Sequence, residues 1–150
     1  MAEPKQYSGE EIANLLPHGV PFLFLDDAQV DGALVKASYL IRGDEEFLQG
    51  HFKGDPVFPG SIMFEALGQA GCLWILHDQG PVDQGQLLFV MLDGARCYKR
   101  AVPGDRLEME VSATNCRPPL ATFQGKILVN GEKIADVGRF RLAFGAEGSA

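Results

Sequence analysis

Apolar residues fill almost every position of one stretch: Ile62, Met63, Phe64, Ala66, Leu67, Ala70, Leu73, Trp74, Ile75 and Leu76. The run predicts a helix over 61–78, with Pro59 before it, Ser61 near its start and Gly80-Pro81 after it. A helix apolar on nearly every side is wrapped by other structure. Glu65 and Gln69 interrupt the run, and 60–76 is short for a membrane span. Gly68 and Gly71 lie inside it, each costing about 1 kcal/mol relative to alanine. Close packing of a sheet against the helix is the simpler reading of both; room for a ligand chain is the other.

The rest of the chain reads as strands around that helix. Ser8 with Glu11 three residues later forms a capping box, predicting a short helix over 8–16 that Pro17 ends. The apolar run 21–30 predicts a strand, against which the paired Asp26 and Asp27 count. Asp31-Gly32 is a turn signal, and 33–41 alternates as a second strand, making a hairpin. After the helix come four strand-like runs, 87–98, 107–113, 122–128 and 134–144. They are separated by Pro103-Gly104-Asp105, Arg117-Pro118-Pro119 and Asn130-Gly131, the last being the clearest hairpin signal. A frayed tail is expected over 145–150. A hairpin, one long helix and an antiparallel meander make an α+β fold. A sheet curled around a central helix satisfies the helix's all-round apolarity; a helix on one open face would not.

Composition narrows the class. The 150 residues make one domain, long enough to bury a core without staples. Hydrophobic residues are 46% and charged residues 22%, a globular balance. Thirteen basic against twenty acidic residues leave a net charge of −7, which argues against a general nucleic-acid binder but not against a local basic patch. Cys72, Cys97 and Cys116 are odd in number and widely spaced, so neither a disulfide framework nor a zinc site is expected. No signal-peptide pattern opens the chain, and a reduced, cytoplasmic protein is expected.

Candidate chemistry sits at the junction between hairpin and helix. Segment 43–60 holds Gly43, Gly50, Gly54, Pro56, Pro59 and Gly60, a density that predicts either a loop with a specified path or an ordinary irregular connection. His51 lies within it, and an imidazole suits a general base. Glu65, alone in the second turn of the apolar helix, would hold its proton if buried and could act as an acid; an open helix face or a bonded carboxylate is the alternative. Gly60 offers a backbone N–H at the positive end of the helix, suited to an oxyanion or enolate. Base, acid and oxyanion donor together could eliminate water from a β-hydroxy carbonyl compound. His18, in a proline-bracketed turn, reads as packing or hydrogen bonding, and His77 suits a helix C-terminus.

The same residues carry a resemblance. Gly50-His51-Phe52-Lys53-Gly54-Asp55-Pro56-Val57-Phe58-Pro59-Gly60, followed by Glu65-Ala66-Leu67-Gly68-Gln69, resembles the signature of 3-hydroxyacyl-[acyl-carrier-protein] dehydratases. Leu16-Pro17-His18-Gly19-Val20-Pro21-Phe22-Leu23 is similar to that family's N-terminal turn, and Tyr98-Lys99-Arg100-Ala101-Val102-Pro103-Gly104-Asp105-Arg106-Leu107 to its connection after the helix. The resemblance implies a hot-dog fold. It implies a homodimer whose sites combine the histidine of one chain with the acid of the other, and leaves open further assembly as a trimer of dimers. The implied substrate is a thioester on the 4′-phosphopantetheine of acyl carrier protein. His51 would abstract the C2 proton, Glu65 would protonate the departing hydroxyl or position the water, and the Gly60 N–H would bind the thioester oxygen, with Phe52, Pro59 and Ser61 lining the substrate. No metal or redox cofactor is implied, and no membrane span.

Within the family the pattern is mixed. Glu65 matches the FabZ-like branch, since the FabA-like dehydratase-isomerases typically carry Asp there, whereas His-Phe-x-Gly-Asp-Pro-Val is nearer the FabA-like stretch. Lys53, Gly54 and Phe58 depart from the FabZ-like pattern, and Gly19 stands where that branch usually has Arg. Chain length, pathway (fatty-acid, polyunsaturated, polyene or polyketide) and isomerase activity stay open. An acidic carrier needs a local positive face, for which Lys53, Arg96, Lys99 and Arg100 are candidates. Thioester hydrolysis and non-catalytic acyl or carrier binding are the competing functions.

Overall fold

Ser8 and Glu11 satisfy each other's backbone donors as the capping box requires: Glu11 N–H donates to Ser8 Oγ at 3.2 Å and Ser8 N–H to Glu11 Oε1 at 3.0 Å. The helix they open, α1 (Gly9–Leu15), buries Ile12 and stops as Leu16 turns extended before Pro17. These features come from a computed structural model that describes residues 4–146. The strands are β1 (Lys5–Tyr7), β2 (Asp27–Asp31), β3 (Leu34–Leu40), β4 (Val82–Cys97), β5 (Arg106–Arg117), β6 (Leu120–Val129) and β7 (Glu132–Ala146). The long helix, α2, spans Gly60–Gln79.

All seven strands form one antiparallel sheet in the order β1-β2-β3-β5-β6-β7-β4. It curls around α2, which packs on every strand from β2 to β7. Leu67, Leu73 and Ile75 of α2 meet Phe123, Phe140, Met109 and Ile127 of the sheet in a fully buried core. This is the hot-dog arrangement, and it agrees with the all-round apolarity of the helix. Gly71 and Gly68 let the sheet approach. A Cβ at Gly71 would lie 2.9 Å from Leu142 Cδ1, and one at Gly68 would lie 2.6 Å from Phe89 Cε2. The close-packing reading of both glycines holds.

Three expectations need correction. The strands after the helix are not a single meander: β5, β6 and β7 follow one another, but β4 pairs with β7 and forms the far edge. Strand patterning marks a strand without naming its neighbour. Residues 21–26 are not strand, because the Gln69 side chain takes backbone groups of Phe22 and Phe24, and Asp26 lends its own side chain to β3. Phe24 N–H donates to Gln69 Oε1, Gln69 Nε2 donates to the Phe22 carbonyl, and the Asp26 carboxylate accepts from Leu40 N–H. β1 was not anticipated; three residues carry too short a pattern to read. The tail expected from position 145 begins inside β7, and 147–150 lie outside the described residues. At Asn130-Gly131 both residues have positive φ, 51° and 79°, as a tight hairpin of this sequence demands. Among the described residues no helix is long and apolar enough to cross a membrane.

Candidate active site

His51 sits where the loop 43–60 doubles back. One turn of 3₁₀ helix (Glu46–Gln49) leads into it. Phe52 and Asp55 exchange backbone hydrogen bonds at 2.9 and 3.0 Å, Val57 N–H donates to the His51 carbonyl at 2.7 Å, and Phe58 N–H to Ala101 at 2.8 Å. The specified-path reading of this loop is therefore the right one. The His51 ring stacks on Phe52, centroids 4.1 Å apart, and its Nδ1 lies 2.7 Å from the Val57 carbonyl oxygen. A carbonyl only accepts, so Nδ1 carries the hydrogen. In the neutral ring Nε2 is then the bare nitrogen, the state a general base needs.

His51 lines a cavity of about 280 Å³ together with Val57, Phe58, Gly60, Met63, Cys97, Tyr98, Lys99 and Arg100. Gly60 opens α2 after Pro59, so its N–H has no partner within the helix. A Cβ at Gly60 would lie 3.0 Å from Cys97 Sγ, so glycine keeps this approach open. Burial pushes the Cys97 thiol up, which leaves it protonated near neutral pH. Of the residues read as substrate-binding, Gly60 lines the cavity; Phe52, Pro59 and Ser61 do not, Phe52 and Ser61 being exposed.

Glu65 is not among the residues lining that cavity. Its side chain is 26% exposed in the single chain, so it lies on an open stretch of the helix face with its carboxyl bonded. Gln69 Nε2 donates to Glu65 Oε2 at 3.1 Å, and His18 Nε2 stands 3.4 Å from the same oxygen. Gln69 is fully buried and tied to both Phe22 and Phe24. The sequence reads His18 as packing or hydrogen bonding, without a partner, and gives Gln69 no role. The signal for Gln69 was present: two polar residues four apart on an apolar helix share a face. No local signal points to His18, which reaches Glu65 only through the fold.

The proposed docking cations divide. Lys99 and Arg100 border the His51 cavity, Lys99 paired to Glu132 at 2.8 Å and Arg100 to Asp55 at 3.5 Å. Lys53 is exposed in the turn after His51. Arg96 instead lines a polar groove of about 510 Å³ on the sheet, with Lys126, Lys133 and Asp136. No group of three or more His, Cys, Asp or Glu side chains that could hold a metal occurs among the described residues.

A family model described as a FabA-like domain matches residues 16–138. The chain is 38% identical over 130 residues to the 3-hydroxyacyl-[acyl-carrier-protein] dehydratases FabZ of Escherichia coli O9:H4 (strain HS) and Shigella boydii serotype 18, covering 85% of this chain and 86% of theirs. Among solved structures, the dehydratase heterocomplex ApeI:P from Xenorhabdus doucetiae superposes with a TM-score of 0.76 at 18% identity, covering 91% of both chains. A hypothetical thioesterase with coenzyme A from Streptococcus pneumoniae TIGR4 does so at 0.59 and 11%, covering 78% of this chain and 82% of that one. At such identities the structures speak for the fold alone.

Proposed function

The chain belongs to the FabA-like domain family, and from that premise we propose that it is a hydro-lyase, removing water from (3R)-3-hydroxyacyl thioesters of acyl carrier protein to give trans-2-enoyl thioesters. The observation that carries the reading is the hydrogen bond from His51 Nδ1 to the Val57 carbonyl, which leaves Nε2 bare on a residue that shares its cavity with Gly60, whose N–H has no partner within the helix. His51 Nε2 takes the C2 proton. The Gly60 N–H and the helix dipole stabilise the negative charge that develops on the thioester oxygen. The C2–H electron pair becomes the C2–C3 double bond, and the C3–O bond breaks. Glu65 gives its proton to the departing oxygen, which leaves as water.

In this proposal the two groups meet across a homodimer, His51 of one protomer facing Glu65 of the other. Two features support it. Glu65 is absent from the His51 cavity of its own chain, and the edge strand β4 leaves Leu88, Val90 and Leu92 exposed, Leu88 to 62%. A carrier-bound substrate arriving in the cytoplasm would meet Lys99 and Arg100 at the cavity mouth, with Lys53 nearby. The test is product analysis with a (3R)-3-hydroxyacyl carrier-protein thioester, by mass and by free thiol. Loss of one water without thiol release is the expected result. Thiol release would make the protein a thioesterase, and neither signal would leave acyl or carrier binding as its function.

A further inference from the structure

Glu65 is gripped by one oxygen only. Oε2 receives Gln69 Nε2–H at 3.1 Å and faces His18 Nε2 at 3.4 Å, while Oε1 makes no hydrogen bond among the described residues. Gln69 has no freedom to regrip: its other N–H goes to the Phe22 carbonyl at 3.0 Å, and its Oε1 accepts from Phe24 N–H at 2.8 Å. The His18 ring is constrained as well. Its Nδ1 is buried with no partner among the described residues. Placing the hydrogen there would bury an N–H without an acceptor and turn a bare Nε2 toward a carboxyl oxygen. The hydrogen of the neutral ring therefore belongs on Nε2, the nitrogen 3.4 Å from Oε2. A contact of 3.4 Å is long for a hydrogen bond, as hydrogen bonds in ligand-free active sites often are.

We infer that His18 is a positioning residue for the reaction: as the Nε2–H tautomer it joins Gln69 in holding Oε2 of Glu65, which puts the transferable proton of Glu65 on Oε1. This rests on the dehydratase reading above. An acid with two donors on one oxygen keeps that oxygen as the carbonyl and carries its hydrogen on the other. During water loss the Oε1–H bond breaks, its hydrogen joins the leaving hydroxyl, and Glu65 remains as a carboxylate still held through Oε2. The turn that bears His18 thereby sets the direction from which the leaving group is protonated.

Two variants and one spectrum test this. His18→Leu removes the donor; His18→Gln keeps an N–H at a similar reach. His18→Leu is expected to lower kcat about 10- to 100-fold, the scale of one hydrogen bond to a charged group, with KM for the carrier thioester little changed. His18→Gln is expected to recover most of that loss. An unchanged kcat in folded His18→Leu overturns the inference. So does a His18→Gln protein as slow as His18→Leu. Nitrogen-15 imidazole spectra of the wild-type protein read the tautomer without turnover. The Nε2–H form is expected, and an Nδ1–H form in a protein that removes water overturns the role of His18 alone. A wild-type protein that removes no water overturns the dehydratase reading, and this inference with it.

Discussion

His51 and Glu65 are held by opposite means. Everything that orients His51 lies within a few residues of it or in backbone: the Val57 carbonyl, the Phe52–Asp55 turn, the stacked Phe52 ring. Glu65 is oriented by Gln69, one helix turn on and itself anchored on distant Phe22 and Phe24, and by His18 from another segment. A base must keep one nitrogen bare, and one local backbone acceptor achieves that. A carboxyl with two equivalent oxygens must be told which one works, and that takes donors converging from separate segments.

The largest effects should come from the two groups themselves. His51→Ala and Glu65→Gln are each expected to reduce kcat about 10²- to 10⁴-fold while the circular-dichroism melting curve stays cooperative. Mixing the two dead variants should restore part of the activity if each site combines residues from two protomers. A mixture as dead as its components would place both groups in one chain.

Gln69→Leu strikes the remote anchoring. It orphans the Phe24 N–H, a buried donor, and removes the grip on Glu65. Denaturant unfolding should show a loss of about 1–3 kcal/mol, and turnover should fall as well. A variant of wild-type stability and rate would erase the contrast between the two sites.

Gly68→Ala probes the helix that carries Glu65. The added Cβ would lie 2.6 Å from the Phe89 ring, and overpacking of this kind costs about 1–3 kcal/mol. Gly50→Ala, with nothing within 4 Å of the new Cβ, is the matched control on the loop side and should be nearly silent. Combining Gly68→Ala with Phe89→Leu should return part of the loss.

The smallest effect concerns the start of the His51 loop. Burial acts to raise the Glu45 carboxyl, but hydrogen bonds from Tyr39 Oη and from the Gly43 and Arg42 N–H groups outweigh it and hold the group below its ordinary value. A carboxyl lowered in the folded state adds stability above its unfolded value and loses it as pH falls through the folded one. Glu45→Gln should therefore flatten the acid side of the melting-temperature profile below about pH 4.5. An unaltered profile would show that Glu45 does not brace the loop.

The same contrast explains which parts of the protein were legible beforehand. The capping box at Ser8, the Asn130-Gly131 hairpin and the helix beginning at Gly60 are local agreements between residue type and backbone, and each appears where the sequence placed it within a residue or two. The apolar circumference of α2 required a sheet on all sides, and the sheet curls around it accordingly. The specified path of the glycine- and proline-rich loop around His51 could be read for the same reason, since the residues that fix it are mostly neighbours.

Pairing and convergence belong to the tertiary structure. That β4 lies beside β7 rather than β5, that Phe22 and Phe24 spend backbone groups on Gln69, and that His18 meets Glu65 across 47 positions are all decided by contacts between segments far apart in the chain. Periodicity and turn chemistry report how a segment curves and which face it buries; they are blind to what arrives at that face. The orientation of His51 was therefore written into its own stretch of chain, whereas the contacts on Glu65 Oε2 were decided only when the chain closed around α2.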